Sequence, residues 1–161
     1  MSLAAPYTIE FPFRRTVGPK IGTFLAGLRD ARLFGARTPR GVLCPPLEFD
    51  PVTGAETGEL VELTPAGTVT AWTWVPARPG DPVPHDFAWA LIAVDGAIGA
   101  LFHAVDVGGD RARMRTGLRV RARWRPERVG DLRDLQCFEA APGRCPGLVT
   151  TMAGLLREAA P

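Results

Sequence analysis

Two apolar runs, FAWALIAV (87–94) and AIGALFHAV (97–105), stand on either side of the pair Asp95-Gly96 and constrain this chain more than any other feature. The Asp-Gly pair suits a type I′ turn, so the two runs read as the strands of an antiparallel hairpin. Strand-like segments lie on both sides of it. GELVEL (58–63) and TVTAWTWV (68–75) carry β-branched and aromatic residues in rough alternation, with a break at Pro65-Ala66-Gly67. LRVRARWR (118–125) and DLRDLQCFEA (131–140) follow the hairpin. The chain holds 18 Gly and 16 Pro, which favours short elements joined by turns over a helical bundle. Five or six antiparallel strands of this kind are expected to close into a small barrel, which removes exposed edges. The oligonucleotide/oligosaccharide-binding (OB) barrel is the five-stranded solution, and the fold class is therefore expected to be mainly β.

Helical spacing occurs at the two ends. Lys20 to Leu33 sets Ile21, Phe24, Leu25 and Leu28 on one stripe, although Gly22 and Gly27 weaken such a helix by about 1 kcal/mol each, so it must pack against something. Residues 147–160 place Leu148, Val149, Met152, Leu155 and Leu156 on another stripe. Between the first helix and the strands lies a loop-rich stretch with Pro39, Gly41, Pro45-Pro46 and a DPVTG turn, and PARPGDPVPHD (76–86) reads as a long surface loop. The expected organisation is an arm over 1–18, a docking helix over 19–34, a loop-rich segment with the first strand over 35–66, the barrel over 67–140, and a hinge with a short helix over 141–161.

Charge excludes a global attraction to phosphate polymers: 19 basic residues against 17 acidic leave a net charge of +2. A local basic patch remains open. RVRARWR places arginine at every second position from Arg119 to Arg125, so the arginines share one face and Val120, Ala122 and Trp124 point the other way into a core. That face is expected to be solvated or turned to a partner. A single-strand nucleic-acid surface would also need exposed aromatics on which bases stack.

Neither histidine completes a catalytic set. His103 follows Leu101-Phe102 on a strand and could serve as a general base, yet no nucleophile pattern accompanies it, and a buried histidine satisfied by the backbone is the simpler reading. His85, beside Asp86 in a proline loop, reads as solvated. Cys44, Cys137 and Cys145 lack CxxC spacing and are expected to be free thiols in a reducing compartment, Cys137 as a core residue. Arg37 and Arg40 would activate the Cys44 thiol only if they lay close to it in space. The N-terminus MSLAAPYTIEFPF lacks the basic head and apolar run of a signal peptide, and a cytoplasmic location is expected.

The order of these elements resembles the acyl-CoA-associated OB-fold proteins, a family with a Phe and Leu helix seam, a zinc ribbon of two CxxC pairs, and an OB barrel. Phe24 to Leu28 matches the helix seam, Val94-Asp95-Gly96 the turn in the barrel, and Thr116-Gly117-Leu118-Arg119-Val120 the late strand. The chain departs from the family in the ribbon. Phe34-Gly35-Ala36-Arg37 stands where the first CxxC would fall, and the second survives only as Cys44-Pro45-Pro46-Leu47. One cysteine with no histidine nearby cannot supply four ligands, so Cys44 reads as a lone relic of a ligand position and no zinc is expected. The chain is similar to the zinc-less branch with a PPxEFDP-like segment, and Phe34, Leu43, Leu47 and Phe49 are expected to pack in place of the ion.

The resemblance implies a partner, a thiolase-like or lipid-transfer-protein-like acyl-CoA enzyme, thiolase or aldolase, in some relatives acting on steroid side-chain CoA esters. The chain is then expected to be a non-catalytic accessory subunit of a hetero-oligomer, with no tightly bound cofactor and a CoA ester shared with the partner. Phe24, Leu28, Leu148, Met152 and Leu155 are the expected partner-binding residues, because an apolar stripe without its own core is a docking surface. Arg37, Arg40, Arg121 and Arg123 are the candidates for CoA phosphate contacts. A single-stranded nucleic-acid-binding OB module is the alternative.

Overall fold

The computed structural model describes residues 7–11 and 16–141. Leu148, Met152 and Leu155, and the helix expected to carry them, lie outside the described residues.

Five strands, β4 (Ala66–Val75), β5 (Phe87–Val94), β6 (Leu101–Asp106), β7 (Arg119–Trp124) and β8 (Leu135–Ala140), close a barrel in the order β4-β5-β6-β8-β7. All pairings are antiparallel except that of β6 with β8. This is the OB barrel the strand pattern predicts. Strand alternation builds its core: along β5 the even positions Ala88, Ala90, Ile92 and Val94 are buried, and they meet Val69, Val105, Val120 and Phe138 from the other strands. Each large side chain taken fully out of water contributes about 1.5–3 kcal/mol. β4 serves two neighbours, β7 at its start and β5 along its length, and an irregularity between Val69 and Ala71 bends it to do so.

The hairpin after β5 differs from expectation. The β5–β6 ladder ends at Ile92↔Leu101, so Asp95-Gly96 does not form a tight two-residue turn. The reason lies outside the hairpin. Val94 and Ala93 pair with Gly67 and Thr68 of β4, and Ile98 reaches a second sheet, its N–H donating to Val42 O at 2.7 Å and its C=O accepting from Cys44 N–H at 3.3 Å.

That second sheet stands where loop was expected. β1 (Leu33–Thr38), β2 (Gly41–Leu43) and β3 (Leu60–Leu63) form an antiparallel sheet in the order β2-β1-β3, so the segment 58–63 is not a barrel strand. Helix α1 (Pro19–Arg29) is shorter than the expected span to Leu33. It ends because Ala31 turns left-handed, at φ 57°, with Arg32 N–H donating back to Gly27 O, and because Leu33 and Phe34 pair with Leu63 and Glu62 of β3. Its start has no side-chain cap of its own. Glu48, from the loop after β2, accepts the N–H groups of Lys20 and Ile21 at 2.9 and 3.1 Å.

The replacement for the ribbon ion also differs. Phe34 packs against the core, but Leu47 is 39% and Phe49 60% exposed, so these two do not fill the site. Polar closure does the work instead. Asp50 is buried and accepts from Arg40, Val52 N–H and Thr53 N–H, while Thr57 Oγ1 donates to Leu47 O at 2.6 Å. The Val52 N–H is the main cause that holds the Asp50 carboxyl below the ordinary carboxylate range.

Candidate functional site

β7 confirms the face reading of RVRARWR: Val120 is fully buried and Ala122 and Trp124 pack against the core. The opposite face is not a bare cationic surface. Arg119 holds Asp95, Arg121 Nη2 lies 2.8 Å from Glu139 Oε1, and Arg123 Nη2 lies 2.8 Å from Asp106 Oδ2. Asp106 also meets His85 Nε2 at 2.8 Å and accepts Gly108 N–H at 2.7 Å, so His85 is held in a network instead of being merely solvated. Burial alone would raise the pKa of Asp106, but His85, the Gly108 N–H and Arg123 outweigh it and hold the carboxyl below its ordinary range. The other two phosphate candidates are likewise engaged, Arg37 with Glu59 and Arg40 with Asp50, both at 3.1 Å.

A cleft of about 450 Å³ opens on the face of β5 and β6. The 76–86 loop supplies Asp81 and Pro82, β5 and β6 supply Trp89, Phe102 and His103, and the segment joining β7 to β8 supplies Arg125, Leu132 and Arg133. This is the face and loop pair that OB barrels use for ligands. Trp89 and Phe102 stack with centroids 5.3 Å apart and planes 18° from parallel, and Phe102 is 60% exposed. The edge of Phe87 supports Trp89 from below, at 5.2 Å. Gln136 Nε2 donates to Pro82 O at 3.0 Å and ties the two sides together. Asp134, buried at the base of the 125–134 segment, accepts the N–H groups of Val129, Gly130 and Asp131 and holds that segment in shape.

Sequence reasoning missed Trp89 and Phe102 because FAWALIAV and AIGALFHAV are apolar at nearly every position, so their outward faces carry almost no polar mark. The signal was present in parity alone: Trp89 and Leu91 are out of phase with the buried alanines, and Phe102 pairs directly with Leu91.

His103 borders the cleft, yet its Nδ1 accepts the N–H of Ala104 at 2.9 Å and its ring meets Phe138 edge-on. Burial pushes its pKa below the ordinary 6.5, so the ring is neutral at pH 7. Among the described residues no Ser, Thr or Cys lines the cleft beside it. Cys44 and Cys137 are buried free thiols, and burial pushes each up to about 12. Among the described residues no group of three or more His, Cys, Asp or Glu side chains is placed to hold a metal, and no helix is long and apolar enough to cross a membrane. Phe24 and Leu28 require a correction. They are 4% and 0% exposed and belong to the same core cluster as Leu33, Cys44 and Leu63, so this chain covers them itself.

Comparison with known proteins agrees with this architecture. The family model described as ChsH2, C-terminal OB-fold domain, matches residues 60–125. No curated protein matches. One similar solved structure is a protein of unknown function from the DUF35 family of Sulfolobus solfataricus, 17% identical, covering 65% of this chain and 78% of that one with a TM-score of 0.51. Another is a chain of a structure described as an Ltp2-ChsH2(DUF35) aldolase, 18% identical, covering 80% of this chain and all of that one with a TM-score of 0.56. At such identities these two likenesses are of fold.

Proposed function

We propose, from the premise that residues 60–125 are a ChsH2-type C-terminal OB-fold domain, that this protein is an accessory subunit of a lipid-transfer-protein-like or thiolase-like acyl-CoA enzyme. The observation that carries the reading is that domain match, together with the aldolase assembly named for a structural neighbour. The state of the candidate groups supports it: His103 is neutral and tied to its own backbone, and both described thiols are buried. The partner supplies the reaction, a thiolytic or aldol cleavage of a CoA ester, with steroid side-chain esters among the substrates the resemblance implies. This chain stabilises the partner and lines part of the route to the ester.

Co-expression with a lipid-transfer-like or thiolase-like protein encoded beside it tests the reading. A single complex in size-exclusion chromatography with light scattering is expected. Separate elution at micromolar concentration would overturn it.

A single-stranded nucleic-acid module has one observation in its favour, the exposed Phe102 stacked on Trp89. Against it stand the carboxylate partners of Arg119, Arg121 and Arg123. It requires salt-sensitive binding of a labelled oligonucleotide, weakened in Arg121→Ala and Arg123→Ala.

A further inference from the structure

The loop that joins β6 to β7, residues 107–118, is tied to the barrel at both ends. Met114 and Leu118 are buried, 5% and 6% exposed, and Gly117 N–H donates to Val69 O at 2.8 Å. At its other end the Asp110 carboxylate accepts Ala112 N–H at 3.0 Å and turns the chain through a short 3-10 turn, Arg111–Arg113. With the backbone and the apolar side chains fixed in this way, Arg111, Arg113 and Arg115 are all left exposed.

Charge sets these three apart from the arginines of the neighbouring strand. Arg119, Arg121 and Arg123 each hold a carboxylate, and Asp106 and Glu139 are taken up by Arg121, Arg123 and His85. Among the described residues Arg111, Arg113 and Arg115 make no ion pair. Arg113 Nη1 donates to Val107 O at 2.8 Å, which satisfies a donor and leaves the charge unmatched. The loop's own carboxylate, Asp110, faces the backbone. Three guanidinium groups against that one acid leave a local surplus as large as the net charge of the whole chain, +2. Like charges gathered on a tethered loop repel one another, so the complement that favours this arrangement comes from outside the chain.

We propose that this loop docks on an acidic stretch of the partner subunit, with Arg111 and Arg115 meeting Asp and Glu side chains there. This rests on the accessory-subunit reading above. Charge complementarity names the occupant, and the surroundings narrow it to a protein surface. A nucleic acid needs aromatic side chains on which bases stack, and residues 107–118 contain none. A phosphate ligand needs a hollow free of carboxylates, whereas the hollow of about 360 Å³ beside Arg113 and Arg123 is also lined by Asp106 and Glu139. Carboxylates on a protein surface meet each exposed guanidinium separately, outside that hollow, and the planar fork suits them. Because these arginines are solvated, they act chiefly on the rate of encounter.

The test uses the full chain with the lipid-transfer-like or thiolase-like protein, and association rates are measured for the wild type, the double variant Arg111→Gln/Arg115→Gln and the control Arg78→Glu. The control removes the same net charge from the exposed 76–86 loop, and Arg113 stays in place because it also ties Val107 O. Thermal melts verify that the variants fold. The double variant is expected to associate about tenfold more slowly at low salt, the control within about twofold of the wild type, and the difference should vanish at about 0.5 M salt. A photo-crosslinking residue at Ala112 should label a partner stretch containing Asp or Glu. A wild-type complex that the double variant forms within about twofold of the normal rate, or a loss that the control shares or that salt leaves unchanged, would overturn the inference and leave the accessory-subunit reading in place. Labelling from position 112 that falls only on a second copy, on a co-purified oligonucleotide or on a partner stretch without acids would do the same. Absence of a wild-type complex removes the reading and the inference together.

Discussion

The Arg119 guanidinium grips the Asp95 carboxylate through two parallel hydrogen bonds, Nη1 to Oδ1 at 2.6 Å and Nη2 to Oδ2 at 2.5 Å. The pair joins β7 to the turn after β5, two elements 24 residues apart that both border β4. Arginine fits because its planar fork matches a carboxylate, while an ammonium group offers only a point charge. Arg119→Lys is expected to lower stability in urea unfolding by no more than about 1 kcal/mol, since Asp95 is 40% exposed and solvent screens the pair. The loss should shrink at high salt.

Acid should destabilise the protein in two stages. His103 has a folded pKa below 6.5, so its contribution is complete above that value and is lost as pH falls, because the unfolded chain binds the proton first. Asp106 and Asp134 are held below 3.8, so theirs is complete above 3.8 and is lost only as pH falls through their lower folded values. For both, burial acts in the raising direction and is outweighed, at Asp134 by the N–H groups of Val129, Asp131 and Gly130. Melting temperature followed downward from pH 7 should decline gently below 6.5 and steeply below 3.8. His103→Gln should flatten the first stage alone.

Two glycines of α1 should respond oppositely to alanine. A Cβ at Gly22 would lie 3.4 Å from Val17, ordinary contact, so Gly22→Ala should gain up to about 1 kcal/mol from helix propensity. A Cβ at Gly27 would lie 2.5 Å from Cε2 of Phe34, whose ring packs directly on the helix. Gly27→Ala should therefore lower the melting temperature despite the better helix former, and Phe34→Leu should restore part of the loss.

Glu48→Ala should expose the first turn of α1, since the carboxylate caps Lys20 and Ile21 N–H from 28 and 27 residues away. A cost of about 1 kcal/mol is expected, as for other lost N-caps. Hydrogen exchange should localise the change to the start of the helix.

Cys44 and Cys137, with thiols pushed up to about 12, should resist a thiol reagent at pH 8 in the native protein and react at once when it is unfolded. Peptide mapping distinguishes them from Cys145. Rapid native labelling of Cys44 would revive the reactive-thiol reading that its neighbours Arg37 and Arg40 suggest in sequence.

Local pattern alone located five segments that form the barrel strands and fixed the inward face of β7, because a strand reports its two faces through neighbours only two residues away, but it could not tell that 58–63 belongs to a second sheet or that β6 begins only at Leu101. The order Val120, Ala122, Trp124 against Arg119, Arg121, Arg123 is legible without any partner strand. Tertiary structure decided what each face meets: the carboxylates that occupy the arginines come from other strands and turns, as do the Glu48 cap, the Ile98 link and the β3 pairing that ends α1 at Arg29. It also decided the cleft, since an all-apolar strand such as β5 turns Trp89 outward or inward only when the barrel closes around it. Periodicity is a property of short segments, whereas pairing across dozens of residues is selected by the free energy of the whole packed chain.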